Sequence, residues 1–214
     1  MGKLSRGFLG GFQGQLGTAY GSFWRLMDLI KAMPRKVKRP ATAAQLPVQM
    51  RLKIVTSLLA DLSTVIKVGF QDAPKPKSAM NAAVAYNLEN AITGAYPDFS
   101  VDFTKLRFSQ GKCVPPVSAD VANTATTSVK YTWQASNPGT PNSEPTDKLT
   151  FIVYNPEKDQ YVIISGVISR SALSYELVLP SDFSGDQVHC YISAVSADGK
   201  LAGKSMHLGA LTIS

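Results

Sequence analysis

The chain has 214 residues, of which 44% are hydrophobic and 17% charged, and its formal net charge is +7. This length and hydrophobic content allow the packed core of one large domain or two small ones, and they exclude global disorder. The charge is unevenly distributed, because residues 1–40 hold eight basic side chains and one acid, while the remaining 174 residues hold 14 of each. The chain therefore joins a basic arm to a neutral body.

The N-terminal arm, residues 1–40, combines glycine with aromatic residues. Seven of the 16 glycines lie in it, and they interrupt every helical window. Glycine permits close backbone approach and aromatic side chains supply burial area, so we predict an extended arm or hairpin that orders against a neighbour. The residues predicted to make these assembly contacts are Phe8, Phe12, Gly14, Gly17, Tyr20, Gly21, Phe23 and Trp24.

A basic linker between Pro34 and Pro40 ends the arm. Its charges suit the neutralisation of phosphates, and the nearby aromatic side chains suit stacking on bases. Nucleic-acid binding through residues 1–40 is therefore an alternative to assembly, and insertion of the aromatic side chains into a membrane interface is another. The basic patch consists of Arg35, Lys36, Lys38 and Arg39.

Residues 41–97 are predicted to form a helical hairpin. The first helix begins either at a capping box spanning 42–45 or at Pro47, and it ends near Gly69. A proline-containing loop separates it from a second helix, about 79–93, which Gly94 and Pro97 end. Apolar residues at helical spacing support the first helix: Met50, Ile54, Leu58, Leu62 and Val65.

From residue 98 to the end, the hydrophobic period changes from 3.6 to two. About seven short strands with turn signals and no helix between them predict a β-sandwich over 98–214, and hence an α+β fold for the chain. Trp133 is expected to point inward, and the polar segment 134–147 is predicted to be a long loop. The predicted strands lie within 101–108, 129–133, 149–153, 161–167, 173–179, 188–194 and 206–213.

Cys113 and Cys190 are the only cysteines, and 77 residues separate them. Such a pair is neither a disulfide framework nor a zinc site, so both thiols are expected to be free and buried. The start of the chain lacks a convincing signal peptide, and residues 7–24 are too polar for a membrane span. We therefore expect a cytoplasmic protein without a transmembrane segment.

No constellation typical of catalysis is evident, so the chain is predicted not to be an enzyme and to hold no cofactor or metal. Residues 199–205 are one residue short of a phosphate-binding loop and lie between strands, which favours a hairpin turn. His189 and His207 fall on the last two strands, without visible further metal ligands. The carboxylates of segment 182–186 are expected to cap a turn rather than to bind calcium.

Two resemblances follow from these motifs. Segments 128–133 and 177–194, with inward Trp133, resemble a fibronectin type III or immunoglobulin-like domain. The glycine-rich basic start ending at Trp24, the helix entry at 42–45 and the segments 153–156 and 196–200 resemble a Bacteroidota family with no assigned activity. The first resemblance implies a β-sandwich, and the second implies no catalytic residues.

The function expected from these features is structural. The arm would make the contacts of a self-assembling or particle-associated subunit, with homo-oligomer or filament neighbours as partners. Nucleic-acid binding through the arm is the first alternative. The second is a ligand- or carbohydrate-binding module that uses the sandwich loops, such as 134–147.

Overall fold

The computed structural model describes residues 2–4, 11–33, 40–73, 77–125, 127–137 and 139–213. The chain divides into two compact units, Met1–Thr42 and Ala43–Ser214. We call the second unit the body and describe each unit by itself. The predicted contact residue Phe8 and the basic patch 35–39 lie outside the described residues.

The first unit contains an antiparallel sheet, which we call the N-terminal sheet. Its strand order is β1-β4-β3-β2, so the last three strands form a meander joined by two-residue turns. Gly17 has a positive φ of 58° in the first turn, where its missing side chain removes the steric cost. The strands are β1 Gly2–Leu4, β2 Gly14–Leu16, β3 Ala19–Trp24 and β4 Met27–Ala32.

The body begins with three helices, where the sequence predicts two. They are α1 Gln45–Ala60, α2 Ser63–Gly69 and α3 Ala79–Asn90. Ala44, not Thr42, occupies the N-cap position of α1, whereas the Ser78 side chain caps α3 by accepting from the Asn81 amide. The predicted first helix is interrupted after Ala60. The buried Leu62 is the N-cap residue of α2, and its carbonyl accepts a hydrogen bond from the Ile66 amide.

A β-hairpin follows α3 directly, where the sequence places the end of a helix. Its strands are β5 Ile92–Ala95 and β6 Asp98–Val101, which pair antiparallel. The alternation of apolar residues over 101–108 predicts a strand, but residues 102–108 form none. Leu106 and Phe108 are nevertheless buried. Their burial comes from packing under the helices rather than from a sheet.

The remaining seven strands form a β-sandwich of a three-stranded and a four-stranded antiparallel sheet. The orders are β11-β8-β7 and β10-β9-β12-β13. Strand β7 was not predicted, since its sequence is rich in small and polar residues and its pairing with β8 is interrupted twice by bulges. The strands are β7 Val117–Ala125, β8 Ser128–Gln134, β9 Lys148–Asn155, β10 Gln160–Ser169, β11 Ser174–Val178, β12 Gln187–Val195 and β13 Met206–Thr212.

The four-stranded sheet is buried on both faces. Phe151 and Cys190 point into the sandwich core, whereas Ile152, Tyr154 and Tyr191 pack with the helices. Because both faces are buried, strand β9 is almost continuously apolar, and its residues from Leu149 to Asn155 are all buried. The body consists of three layers: a three-stranded sheet, a four-stranded sheet and a layer of helices. Both cysteines are free and buried, as predicted.

Trp133 is buried in the sandwich core, as predicted, and it anchors the end of β8. Its Nε1 donates a hydrogen bond to the Arg170 carbonyl over 2.7 Å, and its ring lies 5.7 Å from that of Phe151. We expect Trp133→Ala to lower the free energy of unfolding by about 3–5 kcal/mol, because it removes a large buried aromatic side chain. Denaturant unfolding measures this change.

Val178→Ala is the matched control on the three-stranded sheet, since Val178 is 71% exposed. This variant should change the free energy of unfolding by less than about 0.5 kcal/mol. Equal losses in the two variants would show that the Trp133 contacts do not hold the sandwich together.

Candidate functional site

The predicted assembly residues that the structure describes do not form one continuous surface. Opposed residues of neighbouring strands share a face, so Tyr20 and Trp24 lie on one face of the N-terminal sheet with Lys31 and Met27. Phe23, opposite Asp28, lies on the other face. All three aromatic side chains are exposed, so the aromatic surface of this sheet has two sides.

Phe12 and Gly21 make an internal contact of the N-terminal unit. A Cβ atom at Gly21 would lie 2.6 Å from the Phe12 ring, so only glycine allows Phe12 to lie over β3. Gly21 is buried and Phe12 is half-buried. These two predicted contact residues hold the sheet together, whereas Gly14 and Gly17 are backbone positions with positive φ.

The turn between β3 and β4 carries a residue that the sequence analysis missed. Arg25 and Leu26 both have positive φ, 46° and 65°, which is the pattern of a type I′ hairpin turn. Such turns strongly prefer Asn-Gly, and a non-glycine residue in this region is strained. Leu26 is 88% exposed, and the Arg25 guanidinium lies 4.8 Å from the Trp24 ring centroid.

The predicted loop 134–147 lies beside a cleft at one end of the sandwich. The cleft has a volume of about 540 Å³ and is lined mainly by hydroxyl, amide and proline side chains of this loop, with Arg170, Ser171 and Leu173 opposite. Arg170 is 1% exposed and forms an ion pair with Asp147, with Nη2 3.1 Å from Oδ2. The Arg170 side chain also donates to the Val114 carbonyl and to Ser136.

The two histidines are neighbours on β12 and β13. His189 Nδ1 lies 3.1 Å from His207 Nε2, and the His189 ring stacks on Phe103 at a centroid distance of 4.2 Å. His189 points away from the sandwich core, as its alternation predicts, but it faces Phe103 rather than water. Within the described residues, no group of three or more His, Cys, Asp or Glu side chains could hold a metal ion.

The remaining motifs serve the structure of turns. Asp186 accepts hydrogen bonds from Lys158 and Asn155, and this network lowers the pKa of its carboxyl. Lys158 thereby ties the β9–β10 turn to segment 182–186. Asp198 and Ser196 stabilise the β12–β13 loop through hydrogen bonds with each other and with the Lys200 and Leu201 amides.

A groove along α1 is the feature that the sequence analysis missed altogether. It has a volume of about 820 Å³ and lies between α1, the β5–β6 hairpin with the residues that follow it, and the β9–β10 turn. Met50 and Ile54 belong to the apolar stripe that predicts the first helix, and both line the groove. Only the later part of the stripe, including Leu58 and Leu62, is fully buried.

The body therefore defines a class of protein: an α+β protein whose antiparallel β-sandwich carries a helical layer. The chain belongs to a family of unknown function, DUF6266, whose sequence profile matches residues 11–209. No relative with a curated description matches it. None of the helices in the described parts of the chain is long and apolar enough to cross a membrane.

Solved structures similar to this chain include fibronectin type III domains. The FN1-FN3 domains of chicken CNTN1 are 12% identical with a TM-score of 0.36, and the match covers 50% of this chain and 34% of that one. The FN5 domain of Drosophila Lar is 13% identical with a TM-score of 0.32, over 47% and 98% of the chains. An fn3 domain of human collagen alpha-1(XX) is 14% identical with a TM-score of 0.33, over 47% and 84%.

The histidine pair makes the stability of the body sensitive to pH. Burial lowers the pKa of both imidazoles, His207 adds to this for His189, and the charge of Asp102 partly opposes it for His207. The unfolded chain then binds protons at a higher pH than the folded chain. We expect the melting temperature to fall as the pH drops below about 6.5, the ordinary histidine pKa.

Replacement of both histidines, His189→Gln with His207→Gln, should reduce the difference between the melting temperatures at about pH 7.5 and pH 5. Tyr191→Phe is the matched control, because it removes the 2.9 Å hydrogen bond to the Phe103 carbonyl without removing a group that titrates in this range. It should lower the melting temperature equally at both pH values. An unchanged pH dependence in the double variant would contradict the assignment.

Proposed function

We propose that the chain is a non-enzymatic structural subunit that self-assembles through its N-terminal sheet. The observation that carries this proposal is the exposure of large apolar side chains on a small ordered sheet. Trp24 is 51% exposed and Leu26 is 88% exposed, and Leu16, Tyr20 and Phe23 are exposed as well. These side chains lie on both faces of the sheet and at its β3–β4 turn, and large exposed apolar surface marks sites that bind a partner.

The Arg25–Leu26 turn supports the same proposal. A residue other than glycine, asparagine or aspartate in the left-handed region costs on the order of 1 kcal/mol, and this turn contains two in succession. Strained backbone of this kind is concentrated at functional sites. An Asn-Gly turn would serve the fold at least as well as Arg25-Leu26. We therefore infer that the exposed Leu26 and the Trp24–Arg25 pair contact a partner.

The partner we propose is another copy of the chain, bound through apolar burial. Strand β2 has Gly14–Leu16 at one edge of the sheet, and an edge strand is a template for pairing with a further strand. The eight basic residues of the arm oppose such contacts between copies unless acids of the neutral body meet them. The free buried thiols support the cytoplasmic location that we also propose.

A second candidate function, ligand binding at the sandwich loops, is favoured by the cleft beside loop 134–147. Its lining is rich in hydroxyl groups, the charge of the buried Arg170 is balanced by Asp147, and Glu144 adds a carboxylate that can accept hydrogen bonds from hydroxyl groups. Such a surface suits a neutral hydroxyl-bearing ligand such as a sugar. Nucleic-acid binding through Arg35, Lys36, Lys38 and Arg39 stays an alternative prediction.

The turn allows a test that separates folding from assembly. Arg25→Asn with Leu26→Gly installs the preferred type I′ sequence, so the N-terminal sheet should be retained or stabilised while the apolar tip is lost. We expect self-association of the full chain, measured by size-exclusion chromatography with light scattering, to weaken by about tenfold or more. Circular dichroism and melting temperature verify the fold.

The control removes exposed apolar side chains elsewhere, by Val167→Ser with Val178→Ser on the sandwich. Association of this variant should match the wild type, and it should be nearly insensitive to salt because it depends on burial. A monomeric wild type at every concentration would refute the proposal. DNA binding that weakens steeply with salt and is lost when the basic patch is changed to serine would favour the nucleic-acid alternative.

A further inference from the structure

The groove along α1 has the size and composition of a small-molecule site. Its volume of about 820 Å³ lies within the usual range of about 300–1,000 Å³ for ligand pockets. One wall is the start of the apolar stripe of α1, with Leu46, Met50 and Ile54. The opposite wall is aromatic and contains Phe103 and Tyr154. Concave apolar surfaces with a few polar groups are the usual form of a binding site.

The aromatic wall is held by ring contacts and by a hydrogen bond at the rim of the groove. Tyr154 stacks on Tyr161 with 4.5 Å between ring centroids, and its hydroxyl donates to Asp159 over 2.9 Å. Phe103 stacks on His189 and lies 5.6 Å from Tyr154. Because these rings have partners on their other sides, the groove cannot close by a simple rotation of either ring. Met50, on the facing helix, supplies an adaptable side chain.

The polar groups at the groove are balanced in charge. Lys53 and Asp159 contribute one positive and one negative charge, and Gln49 and Ser57 contribute neutral donors and acceptors. Burial is the main cause that raises the pKa of Tyr154 well above its ordinary range, and the hydrogen bond to Asp159 is the second. The phenol therefore stays neutral. Because these two charges have opposite signs, the groove favours neither an anion nor a cation, and its apolar walls favour an uncharged molecule.

We propose that this groove binds a neutral, mainly apolar small molecule with one or two hydrogen-bonding groups. The ligand body lies between α1 and the rings of Phe103 and Tyr154. Its polar group lies at the rim near Lys53 and Asp159. All the residues that line the groove belong to the body.

A pair of fluorescent dyes tests both the place and the charge preference. N-phenyl-1-naphthylamine is a neutral two-part aromatic amine, and 8-anilino-1-naphthalenesulfonate is its anionic sulfonated counterpart. We expect the neutral dye to bind the full chain saturably, with one dye per chain, and more tightly than the anionic dye. Ile54→Trp should weaken binding of the neutral dye by about tenfold or more, because the indole fills the groove.

Leu52→Trp is the matched control, since Leu52 lies on the same helix, is 43% exposed and does not line the groove. It should leave dye affinity unchanged. Met50→Asp, at a partly exposed position, is a second groove variant that weakens binding without adding bulk. The melting temperatures of all three variants establish that they fold.

Three results would overturn the proposal. The first is equal dye affinity in Ile54→Trp and Leu52→Trp. The second is loss of dye binding in the Arg25→Asn/Leu26→Gly variant, which would place the dye on the N-terminal sheet. The third is an oligomer that Ile54→Trp converts to monomer, which would make the groove a contact between copies of the chain.

Discussion

The body depends on one constraint: its four-stranded sheet must be covered on both faces. The three-stranded sheet covers one face mainly with apolar side chains, and the Tyr131 hydroxyl donates a hydrogen bond across the sandwich to the Ile152 carbonyl over 3.4 Å. The other face presents tyrosines, whose hydroxyl groups need partners once they are buried. Tyr161 donates to the Leu58 carbonyl over 2.8 Å, and Tyr191 donates to the Phe103 carbonyl over 2.9 Å. The first bond holds α1 against the sheet, and the second holds the segment that follows β6. The groove lies between these two elements.

The sandwich could be predicted because its strands alternate in sequence. Val129, Tyr131 and Trp133 of β8 occupy every second position and are all buried. On β9 the alternation predicts burial of one face only, that of Leu149, Phe151 and Val153. A period of two does not show that the residues between them pack against another layer. Strand β7 escaped prediction for the opposite reason: its pairing with β8 stabilises a segment whose own residues disfavour strands.

The helices show the same limit. Their apolar spacing was visible, but the break after Ala60 and the β-hairpin after Asn90 depend on contacts with distant residues. Asn87, which is buried, illustrates this: its side chain bonds to the backbone of Arg107, 20 residues away. In the arm, the glycine and aromatic content distinguishes residues 1–40 from the rest of the chain. The positions of Phe12 over β3 and of Leu26 in a turn follow only from the strand pairing. The groove exists because the first turns of α1 are not covered by other elements. The sequence of α1 alone does not show which of its apolar residues stay uncovered.

The Arg170–Asp147 ion pair has a consequence for how this sandwich can vary. Arg170 bonds to the carbonyls of Val114 and Pro115, to Ser136 and to Asp147, so one buried side chain joins both ends of loop 134–147 to the segment that precedes β7. The Ser143 hydroxyl donates a hydrogen bond to the Ser136 hydroxyl, so the segment between these two residues begins and ends beside this network. Insertions and deletions there leave the buried network intact, so relatives of this chain should differ in length at this loop while keeping the paired charges beneath it.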